Sequence, residues 1–267
     1  MEFLASLDFS SVWRFREPLL WGLFSTLWLT VVAYALSIPG GLLLALGRIN
    51  LGPVASLPIV AFVDLMRFTP LLVQAVWIHF ALPVLTGVNL TATQSGLIAL
   101  TLHVSAYVCD IMRSGIQAIP RGQWEGARAL GLRPRTIFRL VVLPQVWPLV
   151  LPPLANTAVS CFKLTAILGI LAVDDLMKVT NRLNNMVFRP VELYTVAAMI
   201  YLACGLALTA FANRVERRYG AGRLERLAGA AEACFRRGEN ERIAVREAAA
   251  MPAGTGAPLS PGRRTGL

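Results

Sequence analysis

The sequence has few charged residues and almost no lysine. Of its 267 residues, 15% are charged, whereas soluble domains carry charges at about 25% of positions. Only Lys163 and Lys178 are lysines, so arginine supplies nearly all of the positive charge behind the formal net charge of +10. Because the arginines lie between and after the apolar runs, this charge does not indicate nucleic-acid binding.

The sequence also lacks the residue spacings that metal sites and most enzymes require. Its four cysteines form no C-x-x-C pair and three lie in or beside apolar runs, so they indicate neither a zinc cluster nor a disulfide framework. Neither lysine completes the G-x-x-x-x-G-K of a P-loop. No paired acids or Ser/His/Asp set occurs at catalytic spacing. We therefore predict no metal site, no cofactor and no enzymatic activity in this chain.

Long apolar runs are what the sequence does contain. Hydrophobic residues make up 56% of the chain, and the mean hydropathy is +0.61. A helix needs about 20 apolar residues to cross a bilayer core. We predict an all-α integral membrane protein whose five spans cover residues 19–47, 55–83, 92–116, 143–171 and 191–213.

Arginine placement predicts how the spans are oriented, because cytoplasmic loops are rich in arginine and lysine. The loop between the third and fourth spans carries one acid, Glu125, and six arginines: Arg113, Arg121, Arg128, Arg133, Arg135 and Arg139. With this loop in the cytoplasm, residues 1–18 form an extracytoplasmic lead and 19–218 a transmembrane domain. Residues 219–267 form a cytoplasmic tail that we expect to be partly helical and then disordered.

The same loop contains a short helix by the standard start and stop signals. Pro120 is suited to a helix start, and Gly131, followed by Pro134, is suited to a helix end. Ala127 and Leu130 present a compact apolar face, and the arginines present a basic face. Such a helix either docks a soluble partner or lies with its apolar face among lipid headgroups.

Three segments of the chain resemble one family. Glu125, Ala127, Leu130 and Gly131 are similar to the EAA loop of permease subunits of bacterial ATP-binding cassette (ABC) importers. Residues 67–74, R-F-T-P-L-L-V-Q, resemble the R-G-T-P-L-L-V-Q of the polar amino acid branch, the histidine and glutamine uptake permeases. Residues 113–123, R-S-G-I-Q-A-I-P-R-G-Q, resemble a second signature of that branch. Gly126 departs from the usual alanine, which loosens the helix by about 1 kcal/mol.

The resemblance implies a type I importer permease of the bacterial inner membrane that forms the pathway for a polar amino acid or related small polar solute. It implies two cytoplasmic ATPase subunits that bind ATP and Mg²⁺, and an extracytoplasmic solute-binding protein. It also implies a dimer, with a second copy or with a sister permease. The loop would couple the ATPase to the spans through Arg121, Gly122, Gln123, Glu125, Gly126, Ala127, Leu130 and Gly131.

Polar residues within the spans are candidates for the solute pathway, because a charge at membrane depth is costly and usually faces a cavity or a partner. The candidates are Arg67, Thr69, Gln74, Asp110 and Lys163. Two are also placed for structural ion pairs three residues apart, Asp64 with Arg67 and Asp110 with Arg113. The alternative function is an ion-gradient-driven secondary transporter or channel, and a membrane enzyme is the weakest hypothesis.

Overall fold

The computed structural model describes residues 13–171 and 173–219. Residues 1–12 of the predicted lead and nearly all of the predicted tail lie outside the described residues. The described part contains helices and no strand. We number its helices α1 (Arg16–Asn50), α2 (Leu57–Phe68), α3 (Leu71–Thr86), α4 (Ala92–Gln117), α5 (Arg121–Ala129), α6 (Pro134–Leu171), α7 (Leu176–Val187) and α8 (Pro190–Tyr219).

The predicted fold class is confirmed. Among the described residues, α1, α4, α6 and α8 are each long and apolar enough to cross a membrane, and α2 with α3 forms a fifth candidate span. The third predicted span, 92–116, nearly coincides with α4. The fourth begins earlier than predicted, because the chain re-enters a helix at Pro134 and continues through a π-helical segment at Phe138–Val142.

The second predicted span is not one continuous helix, and this corrects the sequence analysis. The axes of α2 and α3 differ by 110° across a break of two residues. Thr69 is extended there, with φ −100° and ψ 142°, because the ring of a following proline disfavours the helical conformation. That proline, Pro70, belongs to the R-F-T-P-L-L-V-Q segment, so this motif encodes a bend.

The core forms where α1 crosses α4. A Cβ added at Gly41 would lie 2.5 Å from Cβ of Val108, and one added at Gly40 would lie 2.9 Å from Oγ of Ser105. The two glycines therefore allow close backbone approach, as small residues do between membrane helices. Tyr34 links α1 to α6 by donating a hydrogen bond of 2.7 Å to the carbonyl of Leu154.

Helix α7 was not predicted; its residues lie between the fourth predicted span, which ends at residue 171, and the fifth, which begins at residue 191. Asp175 caps its first turn, since Oδ1 accepts a 2.8 Å hydrogen bond from the backbone N–H of Lys178. Leu176, Val179 and Leu183 are buried, at the spacing of one helical face. The N-cap acid followed by this apolar spacing was the available sequence signal.

Candidate functional site

Helix α5 lies against the membrane domain by one narrow face. Ala127 is buried, and Trp124 is half-buried and packs on the main core. Its other residues, including Glu125 and the two arginines at positions 121 and 128, are exposed. Pro120 precedes the helix and sets its first turn without a side-chain cap. The helix is thus fixed on one side and presents a charged outer surface on the other.

A glycine ends α5 in the way that the sequence predicts. Gly131 has φ +71°, a left-handed conformation that side chains disfavour. The N–H of Gly131 donates to the carbonyl of Arg128 at 2.9 Å, and the N–H of Leu132 donates to Ala127 at 3.3 Å. These two bonds form a Schellman motif, which satisfies the last carbonyls of the helix.

The predicted apolar face of α5 needs correction. Ala127 points into the core, but Leu130 is 79% exposed, because it occupies the C-cap, where the backbone leaves the helix. Leu132, which the sequence analysis passed over, packs against the core in its place. The predicted coupling residues therefore divide into one inward anchor, Ala127, and an exposed set: Arg121, Gly122, Gln123, Glu125, Gly126, Leu130 and Gly131.

Gln74 closes the break between α2 and α3. Its Nε2 lies 2.8 Å from the carbonyl of Met66 and 3.1 Å from the carbonyl of Thr69. Carbonyls at a helix end have no partner within the helix, so the amide satisfies the groups that the bend leaves open. The Oε1 of Gln74 is 3.1 Å from Nδ1 of His103 on α4, and this contact holds the bend against the core.

A shared carboxylate joins three helices. Asp110 on α4 pairs with Arg48 at the end of α1, with 3.0 Å between Nη1 and Oδ1. Its Oδ2 pairs with Arg67 at the end of α2. The guanidinium of Arg67 also lies over the ring of Tyr107, 5.6 Å from the ring centroid, at cation–π distance. Two cations against one acid leave this cluster with an excess of positive charge.

Both ion pairs expected from sequence spacing are replaced by these contacts. In the described part of the chain, Arg67 pairs with Asp110 in place of Asp64, and Asp110 pairs across helices in place of Arg113. The spacing rule considers neighbours on one helix only. Arg48, 62 residues away in sequence, reaches Asp110 because α1 and α4 pack closely.

A cavity of about 500 Å³ lies between α4 and α6. Its polar lining includes His103 and Tyr107 of α4 and Ser160 and Lys163 of α6, and none of its lining residues is acidic. Of the five pathway candidates, Lys163 lines the cavity. Gln74 and Arg67 do not line the cavity. Gln74 contacts the lining residue His103, and Arg67 contacts the lining residue Tyr107. Thr69 and Asp110 belong to the bend and the ion cluster.

Exposed polar residues continue along α6 from this cavity. Asn156, Ser160 and Lys163 are exposed and follow one another at helical spacing, so they lie on one face. Such a stripe is unfavourable against lipid tails and indicates a water-filled space or a partner. The sequence analysis selected only Lys163; the recurrence of polar residues at three- and four-residue intervals was the signal for the others.

This fold and site define a polytopic membrane component of a transporter, with a polar cavity between spans and a charged helix outside them. The chain belongs to the family of binding-protein-dependent transport system inner membrane components, whose family model matches residues 37–221. That match covers more than half of the chain. The chain is therefore a membrane-spanning permease subunit of the ABC importer class.

Individual relatives agree with this assignment. The arginine ABC transporter permease protein ArtQ of Haemophilus influenzae is 36% identical over 168 residues, which is 61% of this chain and 76% of the relative. The histidine/lysine/arginine/ornithine permease HisM of Escherichia coli is 30% identical over 222 residues, covering 77% and 93%. A crystallised amino acid ABC transporter solved with histidines has a chain with TM-score 0.74 and 32% identity, covering 80% of this chain and 99% of that one.

Proposed function

We propose that this chain forms half of the pathway by which a polar amino acid enters the cell across the bacterial inner membrane. Its relatives are named for arginine and for histidine, lysine, arginine and ornithine. The cavity beside Lys163 has a volume in the range of small-molecule sites. A cation and hydroxyl groups in its lining suit a solute that carries a carboxylate.

The orientation follows from where the helices place their arginines. Arg48 ends α1, Arg113 lies in the last turns of α4, and Arg214 and Arg217 lie in the last turns of α8. Five alternating crossings bring these three helix ends and α5 to one side, which is the cytoplasm by the distribution of basic residues. The amino terminus is then extracytoplasmic and the carboxyl terminus cytoplasmic.

Helix α5 transmits the energy of ATP hydrolysis to the spans. The observation that carries this proposal is its two-sided environment, with Ala127 buried in the core and Glu125 exposed on the outer surface. A partner that holds the outer surface moves the membrane core through Trp124 and Ala127. ATP and Mg²⁺ are bound by two cytoplasmic ATPase subunits, and this chain supplies no ATPase site.

The polar stripe of α6 calls for a second permease. Asn156, Ser160 and Lys163 stay exposed in the single chain, and the cost of polar groups in lipid favours covering them. A second copy, or a sister permease, completes the pathway along this face. An extracytoplasmic binding protein delivers the solute to the dimer.

Of the five pathway candidates, we assign direct solute contact to Lys163. Arg67 and Asp110 form the ion cluster that ties α2 to α1 and α4. Gln74 and Thr69 hold the bend, since Nε2 of Gln74 is 2.7 Å from Oγ1 of Thr69. These four shape the wall of the pathway beside Tyr107 and His103.

Charge reversal on the outer surface of α5 tests the proposal. The permease is reconstituted in proteoliposomes with its ATPase and binding protein, and uptake of labelled arginine, histidine, glutamine and glutamate is measured with ATP hydrolysis. Glu125→Lys should lower uptake of the transported amino acid about tenfold or more, because a like-charge contact at an interface costs several kcal/mol. Membrane insertion should be unchanged.

The matched control is Glu17→Lys, the same change at an exposed position in the first turn of α1. It should leave uptake near the wild-type rate. Uptake by the Glu125→Lys variant at the wild-type rate would remove α5 as the coupling element, and uptake by the permease alone without nucleotide would remove the ATP-driven mechanism.

A further inference from the structure

A second, larger cavity lies at the opposite end of the spans from α5. It has a volume of about 670 Å³ and is bordered by the end of α6, one face of α7 and the start of α8. Its polar lining consists of Lys178, Asn181, Arg182, Asn185 and Tyr194. The family assignment and the proposed coupling helix make no use of this cavity.

The sequence of α7 explains why these groups converge. Lys178, Asn181, Arg182 and Asn185 follow one another at intervals of three, one and three residues, so they share one face of the helix. The opposite face carries the buried residues Leu176, Val179 and Leu183 and is packed on the core. The helix therefore cannot rotate its polar face away from the cavity without exposing the apolar one.

The cavity is rich in hydrogen-bond donors. The hydroxyl of Tyr194 donates to Oδ1 of Asn181 at 2.6 Å, which leaves the Nδ2 group of Asn181 to donate elsewhere. An ammonium and a guanidinium donate only, and these belong to Lys178 and Arg182. A ligand that accepts several hydrogen bonds and carries negative charge fits this set.

The nearby acids do not neutralise the cavity. Arg182 reaches Asp174 at 3.9 Å, and both side chains are more than half exposed, so this pair is weak. The carboxylate of Asp175 is directed into the first turn of α7, where it accepts from the backbone N–H of Lys178. Neither acid lines the cavity.

These two cavities lie along the same helix. Ile170 of α6 lines the larger cavity, and Lys163, seven residues earlier, lines the smaller one. Seven residues of α-helix span about 10 Å. A small solute that leaves the larger cavity therefore meets Lys163 about two helical turns away along α6.

We propose that the cavity of α6, α7 and α8 is a carboxylate-binding site for the carried solute, occupied at the extracytoplasmic face before the solute reaches Lys163. This inference rests on the proposed function, because it needs the proposed orientation and a solute with a carboxylate. Lys178 and Arg182 supply the charge, and Asn181 and Asn185 supply neutral donors. The cavity volume is in the range typical of small-molecule sites.

The first test removes both charges while keeping side-chain size similar. Uptake by the Lys178→Gln, Arg182→Gln double variant is measured in the complete reconstituted complex at saturating binding protein, with the four labelled amino acids named above. Uptake of whichever the wild type imports should fall about tenfold, the loss expected for hydrogen bonds to charged groups. Arg14→Gln, which removes an exposed cation from the start of the described chain, should have no effect.

Unchanged uptake by the double variant would overturn the inference. A loss of uptake that appears only when the binding protein is below saturation would also overturn it, because the carboxylate would then be an acidic side chain of the docked protein. If the wild-type complex imports none of the four amino acids with ATP, the proposed function fails first.

A second test reads the electrostatics of the cavity without transport and guards against misfolding of the double variant. Asn185→Cys is modified from the outside of intact cells with an anionic sulfonatoethyl or a cationic trimethylammonioethyl methanethiosulfonate. The anionic reagent should react several-fold faster relative to its rate with a free thiol, because a cleft lined by one sign of charge concentrates counter-ions. Adding Lys178→Gln and Arg182→Gln should abolish that preference. Equal relative rates in the singly substituted protein would overturn the proposal.

Discussion

Helices α5 and α7 are both short connections between two membrane spans, and they differ in how much of their surface the rest of the chain covers. In α5 the only buried residue is Ala127. In α7 four residues are buried: Leu176, Val179, Thr180 and Leu183. Asp175 caps α7 with its side chain, whereas α5 begins at Pro120 without a side-chain cap.

The glycines around the two helices show the same contrast. A Cβ added at Gly126 of α5 would meet nothing within 4 Å, whereas one added at Gly22 of α1 would lie 2.9 Å from Cα of Leu176. Helix α7 is therefore part of the packed core, and α5 is a surface element held by one edge. A helix that receives a partner keeps its outer surface free, and a helix that forms the wall of a cavity must be rigid.

The largest expected effect comes from displacing α7 from the core. Gly22→Leu places a side chain where the backbone of α7 lies, so we expect it to lower the free energy of unfolding by about 3 kcal/mol or more. Thermal unfolding of the detergent-solubilised permease measures this effect. Gly205→Leu on α8, where an added Cβ meets nothing within 4 Å, is the matched control and should unfold near the wild-type temperature.

The buried carboxyl group of Asp175, which caps α7, provides a second test of the comparison. Burial raises the pKa of Asp175 from 3.8 to about 6, so the folded protein binds this proton more tightly than the unfolded chain does. The proton on Asp175 stabilises the folded state fully below about pH 4, and this stabilisation is lost as the pH rises through about 6. At about 1.4 kcal/mol per pKa unit, this amounts to about 3 kcal/mol at most.

Asp175→Asn should remove that dependence, because asparagine keeps the capping oxygen and does not ionise. We expect the variant to be more stable than the wild type at pH 7.5 and nearly equal to it at pH 4, as measured by unfolding midpoints at both pH values. Asp174→Asn, a change at an exposed neighbour, should follow the wild-type profile. If both variants showed the same difference between their pH 4 and pH 7.5 midpoints as the wild type does, the assignment would be contradicted.

The smallest expected effect is on α5. Gly126→Ala should stabilise this helix by about 1 kcal/mol, the difference in helix propensity between the two residues. Hydrogen exchange of the α5 amides should slow about fivefold, and exchange in α7 should not change. Slower exchange in both helices would mean that they open together, which would contradict their separate attachment.

Several features of the molecule were predictable because they depend on local chemistry. The uninterrupted apolar runs predicted α1, α4, α6 and α8, since length and hydropathy decide whether a helix can span a bilayer. Pro120 and Gly131 predicted the two ends of α5, since each restricts its own backbone. Helix α7 was missed because its 12 residues are too few to span a bilayer, and the search for helices rested on long apolar runs.

The ion cluster was not predictable in the same way. Arg48 and Arg67 share the carboxylate of Asp110, yet nothing in their spacing links the first to the other two. Pro70 of the motif causes the bend at Thr69, but the stabilisation of this bend by Gln74 and His103 depends on where α4 lies. Sequence spacing therefore paired Arg67 and Asp110 with the wrong neighbours.

The sequence by itself determined the apolar spans and the short helix outside the bilayer, because hydropathy, proline and glycine act on their own segment, and its motifs resemble those of importer permeases. The packing of helices distant in sequence decides which charges are paired and which face a cavity. Lys163, Lys178 and Arg182 are distinguished from Arg48 and Arg67 by the neighbours that the fold brings to them, since the free energy of a charge depends on its surroundings.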